Sequence, residues 1–146
     1  MGGGRNLGQL LASMRPSLRA ETFVFVTLPP GMAIPAGVQP VMTFIEAEGP
    51  TLIIERDAAG RAGVAQAFPC RMITLEVHSS LEAVGFLAEI TARLAAAGIP
   101  VNPVSAFHHD HLFIPDARAE EALTLIEILA AGAAGRSSDE DAAAKR

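Results

Sequence analysis

The sequence predicts an α+β fold, with antiparallel sheets, helices packed on one face, and two interlocked halves. Two observations carry that expectation. Between Met72 and Ile128 the hydrophobic period switches from two to about three and a half and back, which traces a strand, a helix, two strands and a second helix. A similar pattern stands sixty positions earlier: Val41 matches Val101, Ala47 falls on Phe107, and Thr51-Leu52-Ile53-Ile54 falls on His111-Leu112-Phe113-Ile114.

The elements follow in order. Asn6 to Met14 reads as a short helix capped by Asn6, with Leu7, Leu10, Leu11 and Met14 on one face and Pro16 ending it. Thr22 to Leu28 is β-branched and aromatic, hence a strand, and a Pro-rich loop runs from Pro29 to Pro40. Val41 to Ala47 and Thr51 to Glu55 form a hairpin around Glu48-Gly49-Pro50. Arg56 to Ala62 is a helical segment stopped by Gly63, and Val64 to Cys70 is a connector.

Arg71 to Val77 alternates, with Ile73, Leu75 and Val77 on one face. Ser79 followed by Glu82 has capping-box spacing, with Ser80 the alternative cap. The helix they open is expected to reach about Ala97 and to turn Leu81, Val84, Leu87, Ala88, Ile90 and Leu94 to the core. Gly98 and Pro100 end it. Val101 to Phe107 is a strand that Pro103 confines to an edge or a bulge, and Leu112 to Ile114 lies in the next. Asp116 caps a last helix to about Leu129, with Ala119, Ala122, Leu123, Ile126 and Leu129 inward.

The domain reading is residues 1–69 as one half, 70–131 as the other, and 132–146 as a flexible tail; Met1 to Gly4 is flexible by composition. The second half ends after its last helix, with no strand left to close a βαββαβ unit. The strand Thr22 to Leu28 is expected to take the vacant place beside Arg71 to Val77.

Composition narrows the function. Half of the 146 residues are apolar, and Trp and Tyr are absent, which favours a compact globular chain. A net charge of −5 without a basic stripe argues against nucleic acid as the partner. Thr22 to Ile45 carries no charge and is long enough to cross a bilayer, but Pro29, Pro30, Pro35 and Pro40 interrupt it, so no membrane span is expected. The single cysteine, Cys70, forms no internal disulfide, which fits a reducing cytoplasm.

At G-F-L-A-E-I-T-A-R-L-A-A-A-G-I-P-V the chain resembles an ACT domain. Gly85, Phe86 and Leu87 match the family's Gly-x-Leu at the loop–helix junction, and Gly98-Ile99 matches the end of its helix. The runs V-H-S-S-L-E-A-V-G and H-D-H-L-F-I-P resemble small bacterial proteins with two ACT-like units. The resemblance is strong over residues 71–130 and weaker over 20–69. Val84 stands where the family often has proline and Pro100 where it often has asparagine, and both positions border its ligand pocket.

The resemblance implies ferredoxin-like βαββαβ units and a non-catalytic, regulatory protein. It implies an amino acid or related small carboxylate bound between ACT units, no cofactor, a homodimer and a cytoplasmic location. The ligand-binding candidates are Ser79, Ser80, Glu82, Val84, Gly85, Phe86, Leu87, Asn102 and Asp110. A helix N-terminus at Ser79, Ser80 and Glu82 suits a carboxylate, and Gly85 admits close approach to the backbone. Asp110 or Glu82 can hold an α-ammonium, and Asn102 offers both donor and acceptor.

Other readings rank lower. His108-His109-Asp110-His111 contains competent metal ligands, but spacing this tight at a turn tip rarely converges on one ion. His78-Ser79 with Asp110 evokes a hydrolase triad, yet no nucleophile elbow accompanies it and capping explains Ser79. Cys70 beside Arg71 reads as structural, and Gly2-Gly3-Gly4 lacks the Lys-Ser/Thr of a phosphate loop. The alternative functions are an association module without a ligand and, behind it, a small metal-dependent enzyme. In the association module Val84, Phe86 or Pro100 would fill the pocket.

Overall fold

The computed structural model describes residues 3–146, so Met1 and Gly2, which the sequence reads as part of a flexible terminus, lie outside the described residues. The chain forms two compact units. The smaller spans Ala20–Arg71; the larger combines residues 3–19 with Met72–Arg146. By contacts, the first helix and the strand after it group with the C-terminal unit.

The smaller unit contains β2 (Phe23–Thr27), β3 (Met42–Glu46), β4 (Gly49–Glu55), α2 (Arg56–Ala62) and the start of β5 (Ala67–Glu76). Its strand order is β3-β4-β2-β5, with the pairs β2–β4, β2–β5 and β3–β4 all antiparallel. The Pro-rich stretch 28–41 replaces the first helix of a βαββαβ unit, since four prolines there remove donors that a helix needs. Val24, Val26, Leu28, Leu52, Ile54 and Ala59 form its buried cluster. Gly63 ends α2 at φ 66, donating to the carbonyls of Ala59 and Gly60.

Residues 64–70 are not simply a connector, because β5 already begins at Ala67. Its pairing with β2 shifts register between Phe23↔Cys70 and Phe25↔Ala67. Phe68, at φ 57, occupies that bulge. With Pro69 beside it, the bulge breaks the alternation by which a strand is read.

The larger unit contains α1 (Leu7–Ser13), β1 (Arg15–Leu18), the rest of β5, α3 (Phe86–Ala96), β6 (Asn102–Ser105), β7 (Asp110–Pro115) and α4 (Ala119–Ala144). Its order is β6-β7-β5-β1, so each unit repeats the same arrangement. The Asn6 side chain caps α1 by accepting from Gln9 N at 2.9 Å. The place beside the later part of β5 is filled by β1, Arg15↔Glu76 through Leu18↔Ile73, and not by the strand 22–28. Pro16 both ends the helix and sits in this strand.

Two further expectations are corrected. The helix after β5 starts at Phe86 behind Gly85 at φ 90, not at Ser79 or Ser80, so Leu81 (67% exposed) and Val84 (84%) lie in the loop before it and outside the core. The last helix continues to Ala144, with Ala130 and Ala133 buried, where a flexible tail from 132 was expected. A short 3-10 turn, Asp116–Arg118, precedes it in place of a side-chain cap. Leu10, Leu11, Met14, Ile73, Leu75, Phe86, Ile90, Leu94, Leu112, Ile114 and Ile126 belong to the core of this unit.

Candidate functional site: a small cavity at the start of α3

Three segments of the larger unit enclose a cavity of about 170 Å³. Ser79, Ser80, Leu81 and Ala83 come from the loop after β5; Phe86 and Leu87 from the first turn of α3; Ser105, Ala106 and Asp110 from the β6–β7 hairpin. Each is placed for a local reason. The Ser80 hydroxyl accepts from Glu82 N at 3.1 Å and its carbonyl from Ala83 N at 2.9 Å, which folds the loop into a turn. Gly85 then takes a left-handed backbone that a side chain would strain, and the chain enters α3. Register opposes Ser105 to Asp110 across the hairpin, and Ala106 N closes its turn on the His109 carbonyl at 3.0 Å.

Asp110 is the one charged group lining this cavity, and the one buried charged side chain among the described residues. The Ser105 hydroxyl donates to its Oδ1 at 2.6 Å, and this is its one hydrogen bond to a side chain of the described residues. A carboxylate lining a small cavity favours a cationic or hydrogen-donating occupant there. Phe86 and Leu87 bring the first turn of α3, whose amides have no partner within the helix, to the cavity wall, and with Leu81 and Ala83 they supply its apolar part. An acid and a helix N-terminus facing one small hollow can recognise a group that carries both charges.

Of the residues expected from the sequence, Ser79, Ser80, Phe86, Leu87 and Asp110 line the cavity. Glu82, Val84, Gly85 and Asn102 do not. Glu82 is exposed and pairs with Arg5. Val84 points to solvent, Gly85 only forms the helix entry, and Asn102 is exposed on β6, opposite Phe113. Ser105 was missed; a Ser three residues before the histidine-rich turn carries no signal until register sets it across from Asp110. Leu81, Ala83 and Ala106 were also missed as lining residues.

The four histidines gather beside this hairpin. Ring centroids lie 5.4 Å apart for His78–His109 and 6.4 Å apart for His109–His111, and Phe107 stacks edge-on against His108 at 5.0 Å. Among the described residues no three His, Cys, Asp or Glu side chains converge as metal ligands would. His111 Nδ1 lies 2.9 Å from the Thr74 hydroxyl. Its pKa is held below the ordinary 6.5 by burial first and by His109 second, with Asp110 opposing. In the smaller unit a wider hollow of about 320 Å³ lies between Phe25, Thr27, Thr51 and Gln66, but no charged side chain lines it. No helix among the described residues is long and apolar enough to cross a membrane.

Two family models for the ACT domain match, one over residues 2–71 and the other over residues 67–127. A protein of unknown function from Vibrio cholerae, described as a possible transport protein, is 38% identical, with a TM-score of 0.77 over 85% of this chain and 95% of that one. A protein from Agrobacterium tumefaciens is 18% identical, TM-score 0.69, over 80% of this chain and 89% of that one. The ligand-free regulatory subunit of aspartate kinase from Thermus thermophilus is 12% identical, TM-score 0.62, over 82% of this chain and 97% of that one, a likeness of fold. No curated protein matches. Two family matches in tandem accompany two units of one strand order, and the chain belongs to the ACT-domain family, with two ACT units.

Proposed function

We propose that this chain is a non-catalytic regulatory module that binds an amino acid in the cavity of its larger unit and acts as a homodimer in the cytoplasm. The observation that carries the reading is Asp110, buried at 9% exposure with Ser105 on one oxygen and a small cavity before it. Its carboxylate meets the ligand's ammonium, and the first-turn amides of α3 meet the ligand's carboxylate. The apolar wall leaves room for a small side chain. The regulatory subunits of aspartate kinase share this fold, and membership of the ACT family supports the regulatory part.

The association-module reading predicts a plugged cavity. Val84 and Pro100 stay outside it, and Phe86 forms a wall, so the ligand reading is favoured. A thermal-shift screen of the amino acids and common carboxylates tests it. A specific ligand at a hundred times its Kd adds about 2.7 kcal/mol of stability. Asp110→Asn keeps the shape and removes the charge, and is expected to weaken binding by about 10- to 100-fold, the worth of a charge-assisted hydrogen bond. No shift from any candidate, or equal affinity in the Asn variant, would overturn the proposal.

A further inference from the structure

The wall of the cavity is held from outside by the chain's own N-terminal segment. Residues 77–85 join β5 to α3 without regular structure. Most of their hydrogen bonds are local: Ser79 N to the Val77 carbonyl, Ala83 N to the Ser80 carbonyl, Glu82 N to the Ser80 hydroxyl. Among the described residues the exceptions run to residues 4 and 5. Gly4 N donates to the His78 carbonyl at 2.7 Å, and Ser80 N donates back to the Gly4 carbonyl at 2.8 Å. This sets Gly4 beside Ser79 as a parallel bridge. The Arg5 guanidinium pairs with the Glu82 carboxylate across the same loop.

Gly3 shows how close the approach is. A Cβ at Gly3 would stand 2.3 Å from the His78 carbonyl oxygen and 2.7 Å from the Ser79 carbonyl carbon, which are backbone atoms that cannot swing aside. The glycine at this position is thus required by contact with the loop. Gly4 is likewise fixed rather than flexible, contrary to the compositional reading of the terminus.

We propose that residues Gly3 to Arg5 are a positioning strap for the cavity: they fix the 78–82 wall so that Ser79 and Ser80 face Asp110. The inference rests on reading that cavity as the ligand site. Strap docking and ligand binding are then linked, and each strengthens the other by the same factor. Loosening the strap opens the wall, and occupying the cavity protects the strap.

The test compares wild type with Gly3→Ala, Glu82→Gln and, as a control, Gly8→Ala, whose Cβ would meet only the Asn6 Oδ1 at an ordinary 3.6 Å. Amide exchange and backbone NMR shifts are measured on the ligand-free full chain. In Gly3→Ala the Ser80 amide is expected to exchange about tenfold faster or more, while amides within α3 and α4 keep their protection. The shifts of Phe86, Ser105 and Asp110, which line the cavity, move with it. Glu82→Gln gives the same changes at smaller size and serves if Gly3→Ala fails to fold. Unchanged Ser80 exchange in both variants overturns the proposal, as does faster exchange with the cavity shifts unmoved. Titration with glycine and L-alanine reads the linkage: weaker binding in Gly3→Ala supports the strap, and equal binding overturns it. If neither amino acid binds wild type while the exchange and shift changes appear, the positioning role stands and the ligand reading is the one that fails.

Discussion

His111 joins the two central strands of the larger unit through its 2.9 Å contact with Thr74, and its titration is expected to show in stability. Its folded pKa lies below 6.5, first because burial disfavours the imidazolium and next because His109 stands beside it. Well above pH 6.5 the ring is neutral folded and unfolded, and it contributes no proton-linked penalty. As pH falls below that value the unfolded chain takes up the proton first, so stability declines until pH has passed through the lower folded pKa. The urea midpoint is expected to fall between pH 7.5 and pH 5.5, and less steeply in His111→Gln; an NMR titration midpoint at or above 6.5 for His111 would contradict this. At this scale the sequence was partly legible. Ser79, Ser80, Phe86, Leu87 and Asp110 could be found from capping chemistry and from the family pattern. Ser105 could not, because its bond to Asp110 depends on hairpin register, and Val84 was misplaced because the helix starts only at Phe86 and leaves Val84 in the loop before it.

Elements were legible where one period ran unbroken, as in the middle of α3 and β7, and illegible where two signals competed. Ser79-to-Glu82 has the spacing of a capping box, yet Gly85 at φ 90 opens the helix, because Ser80 spends its hydroxyl on a turn closed before the helix begins. The end of α4 reads as polar and small, but alanines are the best helix formers, and Ala130 and Ala133 are buried in the core of the larger unit. Glycines divide in the same way by the element that holds them. Gly49 in β4 stands at φ 129, where a Cβ would fall 1.9 Å from the Leu28 carbonyl oxygen, so any side chain there breaks the β2–β4 contact. Gly60 in α2 has open space around its Cβ position and is exposed. Gly60→Ala is therefore expected to stabilise the smaller unit by about 0.5–1 kcal/mol, read as a higher urea midpoint at unchanged slope. A lower midpoint would mean that α2 is not the helix described.

For the whole molecule, the repeat sixty positions apart pairs β3 with β6 and β4 with β7, which hold equivalent places in the two units. That correspondence was readable because alternation survives in both hairpins. Which segment closes the larger unit was not readable: Arg15-Pro16-Ser17-Leu18 has no β-propensity to announce a strand and follows a helix stop. Only the open edge of β5 makes it one. The consequence is a chain whose first residues complete its last unit. Leu10, Leu11 and Met14 bury fully in that unit's core beside Ile73, Leu75 and Ile126, and at about 1.5–3 kcal/mol each they contribute a sum comparable to the margin of about 5–15 kcal/mol that holds a domain folded. A fragment of residues 70–146 therefore leaves the β5 edge unpaired and part of α4 uncovered. It is expected to lose the cooperative urea transition that the full chain shows at the larger unit, followed by exchange protection of the α3 amides. Adding a peptide of residues 1–19 is expected to restore that protection in a concentration-dependent way, because binding to the folded state stabilises it by mass action. A fragment that unfolds cooperatively at the full-chain midpoint would show that α1 and β1 are decoration on a self-sufficient unit rather than the part that closes it.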